Sequence, residues 1–323
     1  MNSQISSNKS LMKEGNKSAV FTFVFLGLSE YLKLQVPLFL VFLTIYTISV
    51  LENLGMILII RINSKLHIPM YFFLSHLFFV DFCYTTTIAP KLLDLLIVEN
   101  RSMSFKGCIA QFFFDCTCVI MPIFILAMMA YDRFVAVCNP LLYMVAVSRK
   151  LCTLLVAGSY IWGGICSSTL TYFLLALSYC GSGIINHFCC EYSAIISASC
   201  SDSSISQLAC LVICMFNEVC SLLIILTSYV VIVITVIKIP SKGGHRKAFS
   251  TCGSHLTAIC FCHGVILLYC VLKSKSSLLL VKFATVFYSM VIPMLNPLIY
   301  SLRNKDVKET LRKLVHLKVL SHS

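Results

Sequence analysis

The sequence predicts an all-α membrane protein: a seven-transmembrane helix bundle with its N-terminus outside and a short amphipathic helix after the seventh span. Three observations predict it: too much apolar surface for a soluble domain, seven apolar stretches of spanning length, and basic residues gathered on one side. The 323 residues are 59% hydrophobic and only 12% charged, with a mean hydropathy of +0.91, against about a quarter charged in ordinary soluble domains. A spanning helix needs about 20 mostly apolar residues, and residues 36–60, 70–90, 109–137, 151–177, 208–237, 248–272 and 278–302 qualify. The first 18 residues are polar and lack the apolar core of a cleavable signal peptide, so the first span is expected to target the chain to the membrane. The expected division is an extracellular segment 1–35, a bundle 36–302 and a cytoplasmic tail 303–323.

Orientation follows from Lys and Arg, which are retained on the cytoplasmic side. With the N-terminus outside, the inner segments hold fifteen basic residues, among them Arg61, Lys65, Arg133, Arg149 and Arg246, against Asp132, Asp306 and Glu309. The remainder holds ten of each sign, so the whole net charge of +12 falls on the inner side. Basicity of this kind is a topology signal with an attraction to anionic inner-leaflet lipid, and it calls for no nucleic acid. The sequons at Asn8, Asn16 and Asn100 fall on the predicted outer side, in agreement with the charge count.

The long outer connection, 178–207, carries Cys180, Cys189, Cys190 and Cys200, and Cys108 stands at the outer end of helix three. Oxidised pairs belong on that side, and five is odd, so one thiol is left over or pairs elsewhere. The other thirteen cysteines mostly lie within apolar stretches, as small buried residues do. After helix seven, Val307, Leu311, Leu314 and Val315 recur on one helical face with Lys308, Arg312 and Lys313 on others, the pattern of a helix lying on the inner leaflet.

Polar side chains inside a span are functional candidates by default. Glu52 and Asn53, Asp81, Asp115, Asn217 and Glu218, and Asn296 beside Pro297 are such places; each either ties helices together or belongs to an internal polar path. Pro297 removes a backbone donor and should kink helix seven, with Asn296 beside the kink and Tyr300 one turn further in. Asp132-Arg133, at the inner end of helix three, is either an interfacial charge pair or a partner contact. No catalytic chemistry or cofactor is called for.

Four segments in order and at matching depth spell a family pattern over essentially the whole chain: LHIPMYFFLS (66–75), MAYDRFVAVCNPL (129–141), KAFSTCGSHL (247–256) and PMLNPLIYSLRN (293–304). In these the chain resembles the odorant receptors of the rhodopsin-like G-protein-coupled class. The resemblance implies a receptor for small volatile organic molecules that activates an olfactory stimulatory G protein and raises cAMP, in the plasma membrane of sensory cilia, with receptor-trafficking chaperones as further partners. It implies disulfides Cys108–Cys190 and Cys180–Cys200, with Cys189 the odd thiol. Arg133, released from Asp132, would meet the C-terminal helix of the Gα subunit, with Tyr229 and Tyr300 turning inward beside it. By matching position and helical spacing, Asp115, Cys116, Val119, Cys214, Asn217, His263, Ile266, Cys270 and Ser289 would line the ligand pocket, a mostly apolar cavity with few polar groups.

The chain departs from the pattern at several positions. Glu52 stands where glycine is usual, and Pro122 replaces a glutamate that would share a weak sodium site with the acid matched by Asp81; Pro122 also puts a proline inside helix three. His263 stands where a tyrosine is usual, and Phe134 replaces the tyrosine after Arg133. Asp115 occupies a position commonly apolar in related receptors, and a carboxylate there predicts a preference for basic or hydrogen-bond-donating odorants, worth about 1.5–3 kcal/mol for a charge-assisted bond. Two rival readings are a channel or transporter, which the absence of an inverted repeat disfavours, and a receptor whose surface expression or coupling is impaired by Glu52 and Pro122.

Overall fold

The computed structural model describes residues 21–27, 35–98, 101–180, 183–238, 242–274, 278–301 and 307–310; within these, side chains at 242–251, 269–274 and 301 are left aside. Asn8, Asn16, Asn100 and the tail beyond 310 lie outside the described residues. The long helices are α1 (Gln35–Ile62), α2 (Pro69–Ile97), α3 (Phe105–Cys138), α4 (Arg149–Leu175), α5 (Ser204–Ile237) and α6 (Lys242–Ser274). The last, α7, runs as Leu278–Val286, a π-helical turn Phe287–Val291, and Ile292–Ser301. Six of these are long and apolar enough to cross a membrane, and α6 adds the shorter apolar stretch Cys252–Leu268.

Local chemistry sets several starts. Ser104 and Ser148 cap α3 and α4 by accepting from the backbone N–H of Gly107 and Leu151, filling donors that a helix start leaves open. Pro69 opens α2 at a position where its missing N–H is harmless. Prolines inside helices did not end them: α2 continues through Pro90 to Ile97 and α3 passes through Pro122 to Cys138. Packed neighbouring helices can satisfy the backbone groups that such prolines free.

Leu51, Leu54 and Leu58 on α1 and Leu211, Leu223 and Leu226 on α5 are exposed, the apolar faces a bilayer would cover. Inward, polar groups tie helix to helix. Asn53 donates through Nδ2 to Ser49 O at 2.8 Å and to Pro293 O on α7 at 2.9 Å. Thr85 of α2 donates within its helix to Asp81 O and across to Ser289 O on α7 at 3.3 Å. At the inner surface Asn63 Nδ2 reaches Thr310 Oγ1 at 2.8 Å, and Val307 is fully buried, so the helical turn at 307–310 is docked beneath the bundle.

The outer end carries a small sheet that the sequence did not announce. Strand β1 (Thr22–Phe25) lies between β2 (Ser102–Ser104), antiparallel to it, and β3 (Ile184–Ile185), parallel to it. Gly183 makes this approach possible: its φ is +59°, and a Cβ there would stand 2.7 Å from Thr22 O. Lys282 of α7 ties the sheet down by donating to Gly27 O at 2.8 Å and Asn186 Oδ1 at 2.9 Å. Disulfides Cys108–Cys190 and Cys180–Cys200, with Cα–Cα distances of 5.4 and 6.0 Å, fasten the same loop, and Cys189 is free and buried.

Beneath the sheet His187 is 1% exposed, accepts at Nδ1 from the Cys189 N–H, and has Nε2 3.7 Å from Glu191 Oε2. Burial holds the imidazole below its ordinary value of 6.5, Glu191 opposes that shift and Lys282 adds to it. The folded protein therefore binds this proton less readily than the unfolded chain, so the stability from this packing is full above pH 6.5 and is lost as pH falls from there through the depressed folded value. The melting temperature of the purified protein is expected to drop between about pH 7.5 and about pH 5.5, and His187→Gln to remove much of that drop; an unchanged pH profile in the variant would count against this assignment.

Candidate functional site

At the inner end of α3, Asp132 is 1% exposed and its Oδ1 accepts the hydroxyl of Tyr143 at 2.8 Å. Tyr143 opens a single helical turn, Tyr143–Ala146, in the loop after α3. Burial, then the charge and hydrogen bond of Asp132, push its hydroxyl well above the ordinary tyrosine range, so it stays a donor. Asp132 and Arg133 do not form an ion pair within 4 Å: among the described residues the ion pairs are Lys91–Asp94, His187–Glu191 and His263–Glu218. Tyr143 is the hydrogen-bond partner of Asp132, and Arg133 Nε is buried without one.

The tyrosines divide. Tyr229 on α5 meets His255 Nδ1 on α6 at 2.8 Å, and His255 Nε2 lies 3.1 Å from Leu126 O on α3. One imidazole, 1% exposed, therefore joins three helices. With Tyr229 donating its hydroxyl to Nδ1, Nε2 carries the proton and donates to the carbonyl, so a neutral ring satisfies both bonds. Tyr300 on α7 is buried, packs on Phe78 at 6.4 Å between ring centroids, and leaves its hydroxyl unpartnered. Asn296, followed by Pro297 inside the last helical segment, donates to Asp81 Oδ2 at 2.8 Å.

A cavity of about 10 Å³ lies at that junction, lined by Asp81, Cys118, Pro122, Tyr288 and Asn296 among others. It has room for about one water. A hard cation needs several oxygen ligands; among the described lining residues Asp81 is the one carboxylate, and it is already held by Asn296.

The residues expected to line a ligand pocket are spread over several surroundings. Asp115 is buried, and its Oδ1 accepts from Thr87 of α2; Gln111, one turn outward, donates to Thr87 O at 2.9 Å and accepts from Cys190 N at 3.3 Å. Asn217 is engaged by α4: its Oδ1 accepts the indole N–H of Trp162 at 2.7 Å, and its Nδ2 donates to Ile213 O at 2.7 Å. Cys214 is exposed, 3.9 Å from Cys210 between sulfurs. Cys116, Val119 and Ile266 are half-buried and pack on the core. Ser289 is buried in the π-helical turn with its hydroxyl unpartnered. His263 meets Glu218 at 2.8 Å, and the side chain of Cys270 lies outside the described ones. An open cleft of about 430 Å³ lies to one side, between the outer ends of α2 and α3, lined by Thr87, Pro90, Lys91, Asp94, Met103 and Gln111.

Sequence reasoning passed over His255, Tyr143, Trp162 and Thr87. His255 was available to it as an ionisable residue within an apolar helix. The other three act through partners distant in sequence, and no local pattern marks them.

Comparison with known proteins gives consistent relatives. A family model described as "Olfactory receptor" matches residues 42–318. Olfactory receptor 1165 of Mus musculus is 64% identical over 310 residues, covering 96% of this chain and 98% of its own. Olfactory receptors 5D13 and 5D18 of Homo sapiens are each 59% identical over 313 residues, covering 97% of this chain and 100% of theirs.

The imidazole joining α3, α5 and α6 supports a prediction about the inner end. Interhelical hydrogen bonds in membranes are worth about 1 kcal/mol, about fivefold in an equilibrium constant. His255→Ala is therefore expected to raise ligand-independent signalling by about that factor, measured at matched surface level; a basal signal equal to or below that of the unaltered protein would refute the role assigned to this link.

Proposed function

This chain belongs to the olfactory receptor family, multi-pass membrane proteins that sense odorants through G-protein-coupled signalling and are not enzymes, and from that premise we propose that it binds small volatile organic molecules among the outer halves of α3, α5, α6 and α7 and activates an olfactory stimulatory Gα subunit to raise cAMP. The observation that supports the coupling half is the inner end of α3, where Asp132 is held by Tyr143 and Arg133 makes no ion pair among the described residues. A ligand acts by binding one state of the bundle more tightly than the other. The Tyr229–His255–Leu126 link joins the inner parts of α5, α6 and α3, and its loss would let α6 move away from Arg133 and expose it to a Gα helix. Residence in the plasma membrane of sensory cilia, help from trafficking chaperones, an outer segment 1–35 glycosylated at Asn8 and Asn16 with a further glycan at Asn100, and a lipid-contacting cytoplasmic tail 303–323 belong to the same proposal.

The role of Asp115 is better supported as a tie between α3 and α2 than as an ammonium partner, because Thr87 already donates to it. Asp115→Asn is then expected to change responses to amines and to neutral odorants alike; a loss confined to amines would restore the ammonium reading.

For the function as a whole the test is odorant-evoked cAMP in cells with and without a co-expressed stimulatory Gα subunit. Arg133→Ala is expected to abolish the evoked signal while surface staining of an N-terminal tag in non-permeabilised cells is retained. Evoked ion flux that persists without any Gα would favour a channel, and absent surface staining of the unaltered chain would favour the impaired receptor.

A further inference from the structure

The following inference rests on the receptor reading and deepens it by naming the polar group a ligand would carry. Glu218 on α5 and His263 on α6 are 6% and 3% exposed and meet with Oε1 2.8 Å from Nδ1. Both residues fall within apolar spans, where an ionisable side chain demands a reason. The pairing satisfies only half of each group: Glu218 Oε2 and His263 Nε2 are buried and have no hydrogen-bond partner. Of the other polar candidates, Asp115 is engaged by Thr87 and Asn217 by Trp162 and its own helix, while the Ser289 hydroxyl on α7 is unpartnered. A pair that held α5 to α6 and did nothing else would have been served by groups without surplus hydrogen-bonding capacity, since each unsatisfied buried atom is unfavourable.

The two free atoms differ in kind, and that selects a chemistry. In the tautomer that keeps a proton on Nε2, Nε2–H is a donor and Oε2 an acceptor. A hydroxyl is the smallest group that answers both, donating its proton to Oε2 and accepting from Nε2–H on the same oxygen. An ether, ketone or ester accepts only and leaves the carboxylate oxygen unsatisfied. A carboxylate ligand brings no proton for Oε2, and an ammonium ligand no lone pair for Nε2–H. The rest of the ligand would lie on apolar side chains such as Ile266, one turn along α6, which is half-buried against the core. We propose that the Glu218–His263 pair is the polar subsite for a hydroxyl-bearing ligand, an aliphatic alcohol or a phenol.

The test uses the purified full-length receptor in lipid nanodiscs and reads thermal unfolding with matched compounds: straight-chain and tolyl scaffolds, each as hydroxyl, methyl ether, amine and carboxylic acid. At least one hydroxyl compound is expected to raise the melting temperature in a saturable way, with its three partners weaker by about tenfold or more, as for sites built to bond a hydroxyl. Glu218→Gln and His263→Phe are each expected to weaken the hydroxyl compound by a similar factor while leaving any effect of the ether unchanged. The proposal is overturned if no hydroxyl compound stabilises the receptor, if the ether matches its hydroxyl partner, or if folded variants keep the hydroxyl response. Should a variant fail to fold, the hydroxyl-against-ether comparison on the unaltered receptor still decides. Failure here with odorant-evoked cAMP intact removes this subsite alone, whereas loss of Gα-dependent cAMP for every ligand class removes the receptor reading itself.

Discussion

Inside a bilayer no water completes a hydrogen bond, so every polar group in a span must find its partner within the protein. The arrangement of α1, α2 and α7 follows from that constraint. Asn53 reaches Pro293 O, a carbonyl near the π-helical turn of α7, and Thr85 reaches Ser289 O within that turn. Where α7 departs from regular helix, donors from α1 and α2 are therefore aimed at its backbone. Asn296 then holds Asp81, so three contacts spaced along α7 fix it against α1 and α2. Packing alone gives helices in a membrane little preference for one rotation over another, because lipid tails are as apolar as leucine. These polar contacts supply the preference.

Against so well satisfied a framework the exceptions are informative. The atoms left unpartnered include Arg133 Nε and Asp132 Oδ2 at the inner end, Tyr300 Oη just above them, Ser289 Oγ in the π-helical turn, and the free atoms of Glu218 and His263. Others lie on α1 (Glu52 Oε2 and Asn53 Oδ1), on α4 (Thr171 Oγ1) and in the outer loop (His187 Nε2). The outer lid is fastened by two disulfides and by hydrogen bonds, those of the parallel strand pair and of Lys282 to Gly27 O.

Much of this was legible in the sequence, for reasons that differ between features. The spans were visible because a hydropathy signal is additive over twenty residues and does not depend on what the helix packs against; α2 was underestimated because Pro90 was taken as its end. Disulfide pairing and the inner signature came from family resemblance. The lid sheet was illegible: strands of two to four residues carry no measurable alternation, and the partners of β1 lie about 80 and about 160 residues away in the chain. The surroundings of the pocket candidates were less legible, because helical spacing gives the face of a residue but not its partner. Asn217 was assigned to ligand from its position, yet Trp162 on α4 claims it. Glu218, the next residue, faces α6 instead.

How an outer event reaches Arg133 turns on which helix carries it. Helix α3 is an uncertain carrier, since Pro122 lines the small polar cavity midway along it and brings no side-chain polar group. Helix α6 is better placed. His263 and His255 lie eight residues apart on it, about 12 Å at helical rise, with no proline between them. Each is bonded to α5, through Glu218 above and Tyr229 below, and His255 also to α3. A helix transmits displacement along its axis far more faithfully than a loop does, because its backbone bonds resist local distortion. A group that draws on Glu218 and His263 therefore alters the position of α6 relative to α5 at one end of a stiff rod whose other end holds the α3 contact. The tyrosine-to-histidine departure at 263, which in the sequence looked like a break in transmission, gives α6 a second polar attachment to α5 and sets that helix between the proposed subsite and the inner contact with α3.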